Sequence, residues 1–185
     1  TIAFSGAVTG AIDMNNHAGT ITFADNKNLT GTISSTGGTA GTVTFSGTST
    51  VSGAVSGLTT INAGANTDTV TFSSAVTATN LEVSGTGNVA LNGTFTGQLD
   101  MNNKAATVTL ADNADLTGTV VSTGGTAGTL TLSGTSTVSG AVAGLTTLNA
   151  GATGETATFN STVAATNLEV SGTGNVALNG SFTGQ

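Results

Sequence analysis

Nine carboxylates, two lysines and one histidine are nearly all that this 185-residue chain offers to acid–base chemistry. Polysaccharide cleavage of the lyase kind needs carboxylates clustered beside Lys or Arg, and here the acids are scattered and Arg is absent. His17 is the only histidine, and its counterpart 87 residues on is Lys104. Without Cys or a second His, no nucleophile–base pair can be assembled. The residues therefore point to a protein that is not an enzyme and takes no cofactor. Asp25-Asn26-Lys27-Asn28 and Asp112-Asn113-Ala114-Asp115 are turn-like and rich in side-chain oxygen. Oxygen ligands suit Ca²⁺, which makes Asp25, Asp112 and Asp115 weak calcium candidates. Asp and Asn are equally the ordinary residues of turns.

Charge excludes further classes. The formal net charge is −7, and only 6% of residues are charged. Such a chain lacks the basic footprint of a nucleic-acid binder or of a protein that docks on anionic lipid. No apolar run approaches the ~20 residues that span a bilayer. Hydrophobic content is 37% and mean hydropathy is positive, a balance that argues against disorder. With no Cys, there is no disulfide scaffold.

The elements that would hold any site repeat with a period of 87. Asp13-Met14-Asn15-Asn16 returns as Asp100-Met101-Asn102-Asn103, and residues 80–85 return as 167–172. Residues 1–98 align on 88–185 without a gap, at roughly seven identities in ten. A period this clean marks a tandem array. Unit 1 spans 11–97, unit 2 spans 98–184, and residues 1–10 read as the tail of a preceding unit. Both ends read as cuts through a longer array.

A shorter motif, Thr-x-Thr-apolar, lies inside each unit. It occurs as Thr20–Phe23, Thr42–Phe45 and Thr69–Phe72, with Asn88–Leu91 as a weaker member, and again at Thr107–Leu110, Thr129–Leu132, Thr156–Phe159 and Asn175–Leu178. Counted from Phe4, its last residue steps by 19, 22, 27 and 19 positions, and the set then recurs. Period-2 alternation makes each copy a strand with Ile21 and Phe23 inward and Thr20 and Thr22 outward. An Ig-like sandwich would fit the 87-residue length, but it gives no reason for one motif to recur every 19–27 residues. The spacing predicts an all-β fold, a parallel β-solenoid (β-helix) with about four coils per repeat and about nine in all, forming one continuous segment over 1–185. The motif is expected to return once per coil, with the 27-residue step absorbed by a loop near 62–68. Asn62, Asn80, Asn149 and Asn167 are expected to bond backbone at corners. The recurrent glycines Gly10, Gly31, Gly53, Gly97, Gly118, Gly140 and Gly184 fit a narrow interior or a tight bend.

Five threonine pairs, Thr20 with Thr22, Thr42 with Thr44, Thr69 with Thr71, Thr107 with Thr109 and Thr129 with Thr131, would stack into two ranks. Such ranks resemble the ice-binding face of antifreeze β-solenoids. Thr is also simply a good solvent-facing strand residue. The stretches 47–53 and 58–64 (Gly-Thr-Ser-Thr-Val-Ser-Gly and Leu-Thr-Thr-Ile-Asn-Ala-Gly) are similar in style to the passenger repeats of Gram-negative autotransporters, including the rickettsial-type surface antigens. That resemblance covers the whole chain loosely. It implies export, an extracellular or outer-surface location, and a structural or adhesive role, with no site residues carried over. The expected function is a structural segment of a bacterial surface fibre, stalk or filament, whose partners are further copies of itself stacked coil on coil. An adhesin for host or cell surfaces and an ice binder are the alternatives.

Overall fold

Alternation of Thr with Ile, Val, Leu or Phe gives each short segment one apolar and one polar edge, which suits a half-buried strand. The computed structural model describes residues 1–185 and contains 23 strands and no helix. The strands pair in parallel with partners 18 to 22 residues away, as in Thr129↔Thr147 and Thr20↔Thr42. The chain is thus a parallel β-solenoid of about nine coils, and each coil has three faces.

Three inward columns define those faces. The first runs Ile21, Val43, Ile61, Leu81, Leu99, Val120 and Val142, with Phe4, Phe23 and Phe45 in a parallel inward row two residues along the same face. The second runs Val8, Leu29, Val51, Phe72, Leu91, Leu110 and Leu132. The third runs Ile12, Ile33, Val55, Val76, Phe95, Leu116, Val138, Phe159 and Leu178. Together the columns fill one continuous core of 39 buried residues.

The repeat and the coil are out of phase. Thr20–Phe23 lies on the first face, but its copy Thr107–Leu110 pairs with Asn88–Leu91 and Thr129–Leu132 on the second. Val51 belongs to the second column and its copy Val138 to the third. Val55 belongs to the third and its copy Val142 to the first. One 87-residue repeat therefore takes four coils and one further side. Successive repeats are related by a rotation of about 120° and a rise of about 21 Å, taking ~4.8 Å per coil.

This corrects two expectations. The motif does not return once per coil throughout, and the 27-residue step is not one coil enlarged by a loop. From Phe45 the chain completes a coil at Ala63, then adds one side to reach Phe72. Val55–Ala63 is a nine-residue strand that rounds the corner between the third and first faces. Residues 64–68 form an ordinary corner, in which the Asp68 amide donates to the Ala65 carbonyl at 3.0 Å.

The glycines mark tight bends. Gly31 and Gly118 sit at φ 150° and 143°, and a Cβ on either would strike the carbonyl of the glycine one coil before, Gly10 or Gly97. Gly31 bends the chain between the second and third faces, and its copy Gly118 bends it between the third and first. The glycines shift by one corner per repeat, as the phase requires.

Candidate functional site

Corners carry most of the charged side chains, and the structure uses them to clip one coil to the next. Asp13 Oδ1 accepts the Asn15 amide at 2.8 Å and the Thr36 amide at 2.9 Å. Its copy Asp100 accepts Asn102 and Thr123, both at 2.8 Å. The first partner lies in the same turn and the second in the next coil. Asn15, Asn16, Asn102 and Asn103 have positive φ, between 47° and 55°, a conformation that Asn tolerates better than most residues. Donation from the Thr36 backbone, then from Asn15, holds the Asp13 carboxyl below the ordinary carboxylate range. Burial pushes Asp100 upward, but hydrogen bonds from Thr123 and Asn102 outweigh it and the net shift is downward. Such donation favours the ionised form.

The calcium candidates do the same work. Asp25 Oδ1 accepts the Thr48 amide at 2.9 Å, and Asp112 Oδ1 accepts Thr135 at 2.9 Å. Each also takes a bond at 2.9 Å from the side chain of the following Asn, Asn26 or Asn113. Asp115 Oδ1 accepts the Thr137 amide at 2.7 Å, where the first repeat has Asn28 accepting Thr50 at 2.8 Å. The exchange of Asn28 for Asp115 keeps the acceptor and changes the charge, as a clip allows. No three carboxylate or histidine groups lie together as a metal would need. His17 is exposed, with Nδ1 at 2.6 Å from the Asn15 carbonyl.

The threonine pairs divide between faces, which corrects the expectation of two ranks on one face. Thr20 and Thr22 stand on the first face with Thr42 and Thr44, where the next coil offers Thr60 and Asn62. Thr69 and Thr71, Thr107 and Thr109, and Thr129 and Thr131 stand on the second, with Asn88 and Ala90 between the first two pairs. Thr109 therefore lies between Ala90 and Thr131, one face away from its motif counterpart Thr22. The ranks that the sequence suggests are real but short, and they pass to another face with each repeat. Asn62 donates to the Thr44 hydroxyl at 3.1 Å, and Asn149 to that of Thr131 at 3.4 Å. These amides bridge side chains on a face and do not cap backbone at a corner, which corrects the expectation for both. Asn80 and Asn167 lie in the neighbouring rows, paired with Thr60 and Thr147, while Asn62 and Asn149 pair with Glu82 and Glu169.

Sequence reasoning missed one feature. A groove of about 190 Å³ lies beside Thr39, Gly57, Leu58, Thr77, Ala78, Thr79, Thr96 and Gly97. A second, of about 290 Å³, is lined by Thr126, Gly144, Ala164, Ala165, Thr166, Thr183 and Gly184. Every residue of the second is the 87-residue copy of one in the first. The signal was present in sequence as the unequal corner lengths, Ser35–Gly41 being long and the corners after it short. Neither a family model, nor a curated protein, nor a solved structure matches the chain.

Proposed function

We propose that the chain is a structural repeat segment of a secreted bacterial surface fibre or stalk, and that it is not an enzyme. The observation that carries this is the junction between repeats. Asn88–Leu91 of the first unit pairs with Thr107–Leu110 of the second with no register shift, so the ladder and core pass through the boundary unbroken. Each unit adds length without adding a joint. Coils bury their apolar surface only against their neighbours, so stability accumulates along such an array. Parallel ladders leave no open strand edge except at the ends, and two lysines give trypsin-like proteases few cuts. Further copies, or adjacent repeats, would continue the same ladder.

The ice-binding alternative needs one flat rank of threonines, whereas the Thr pairs divide over two faces in this segment. The test of the stalk is length. Deleting one whole 87-residue repeat from the displayed protein should shorten its projection in electron micrographs of the cell by about 21 Å, with surface display kept. Absence of the protein from the surface, or a projection indifferent to repeat number, would overturn the reading. Thermal hysteresis in the purified protein would favour ice binding instead.

A further inference from the structure

The two grooves have one cause. In each repeat a seven-residue corner, 35–41 or 122–128, is followed by shorter corners at the same edge of the next three coils. The long corner is tied to the next coil by backbone bonds that also repeat. The Ala40 amide donates to Gly57 at 3.0 Å and that of Thr59 to Gly41 at 3.1 Å; Ala127 donates to Gly144 at 3.0 Å and Thr146 to Gly128 at 3.1 Å. Along that edge the strands slip register, between Val76 and Ala78 in the first repeat and between Ala143 and Leu145 in the second. The grooves are therefore a built and repeated feature of the fold.

Their lining is amphipathic and neutral. In a chain of net charge −7, no ionisable side chain lines either groove. The floor of the first is formed by glycine backbone and Ala78, with the fully buried Leu58 packed beneath it. Its rim carries the exposed hydroxyls of Thr39, Thr77, Thr79 and Thr96. The hydroxyls of Thr44, Thr48 and Thr119 are occupied by bonds to neighbouring coils. Those of the rim make no such bond and are free to meet a ligand.

We propose that each groove binds one sugar ring of a neutral polysaccharide. A pyranose has a C–H face that suits this floor and an edge of hydroxyls that suits the rim. A charged ligand would find no counter-ion. The second groove has Ala164 where the first has Thr77, so it offers one hydroxyl fewer and binds more weakly. Single sites of this kind are weak, and an array gains by multivalency. Because successive repeats turn by about 120°, adjacent grooves face different directions and only every third faces the same way. That arrangement suits a glycan mesh surrounding a fibre better than a flat surface beneath it. Sugar binding stands apart from the stalk role, since either can fail alone.

The test is a ¹H–¹⁵N NMR titration of the whole chain with methyl β-glucopyranoside, a neutral glucan oligomer and glucuronate. The two neutral sugars should shift residues 39, 57–58, 77–79 and 96–97, then their copies, saturably in the millimolar range. Glucuronate should shift them less. Thr77→Ala should weaken the first groove about threefold, toward the second, as the loss of one net hydrogen bond implies. Thr79→Val, a surface change of the same shape, should weaken it similarly. No saturable shift with either neutral sugar, shifts spread outside the grooves, or indifference to both substitutions would overturn the proposal.

Discussion

Phe45 and Phe72 end successive copies of one motif, yet they belong to different faces and meet edge-on in the core, with ring centroids 5.6 Å apart at 85°. Phe23 and Phe45, one coil apart on the first face, instead stack at 5.2 Å and 12°. The change from stacked to edge contact marks the point where the motif leaves one column for the next. The row of phenylalanines thereby ties two faces together.

Phe45 should accordingly be a costly site. Phe45→Ala removes a buried ring touching partners in both columns and should destabilise the fold by about 3–5 kcal/mol. Phe45→Leu copies what the second repeat has at Leu132 and should cost about 1 kcal/mol. Chemical denaturation of the three proteins tests the order. Equal losses would mean that the edge contact is not part of a packed core.

The glycine bends predict a sharper contrast. Gly118→Ala meets both an unfavourable φ and the Gly97 carbonyl, so a loss of about 2–3 kcal/mol is expected. Gly6 has ordinary φ and open space around its Cβ position, so Gly6→Ala should stay within about 0.5 kcal/mol. Melting curves of the two variants check this.

Acid should loosen the corners. Asp13 and Asp100 have carboxyls held below their ordinary range in the folded chain. A depressed folded pKa contributes stability above the unfolded value of about 4, and that contribution is lost as pH falls through the folded value. The parent should therefore lose stability from about pH 4 downward. Asp100→Asn keeps an acceptor without the titration, so its melting temperature should fall less steeply over that window. Parallel curves for parent and variant would show that these clips do not set the acid response.

Much of this fold can be read from residues alone, because period-2 alternation and near-identical copies leave few architectures. Thr20–Phe23, Thr42–Phe45 and their kin are strands with the expected faces inward, and the glycines bend the chain as expected. The phase was hidden because all three faces use the same inward residue types. Val, Leu, Ile or Phe fits every column, so a motif can change face without changing its sequence. Thr22 and Thr109 thus read as members of one rank although they stand on different faces. The corner carboxylates read as weak calcium candidates because a clip and a calcium turn use the same residues. Only the amides of Thr48, Thr135 and Thr137, lying about one coil later, identify the clip. The grooves depend on contrasts in corner length over four coils, which no local motif records.

The phase between repeat and coil underlies the whole architecture, and a pair of labels measures it. The chain has no cysteine, so two can be introduced alone and tagged with pyrene. Thr50 pairs directly with Thr71 across adjacent coils, whereas Thr44, which matches Thr71 in the motif, pairs with Asn62. The T50C/T71C protein should give strong excimer fluorescence, and T44C/T71C should give little. Strong excimer from T44C/T71C and none from T50C/T71C would contradict a repeat of four coils and a third.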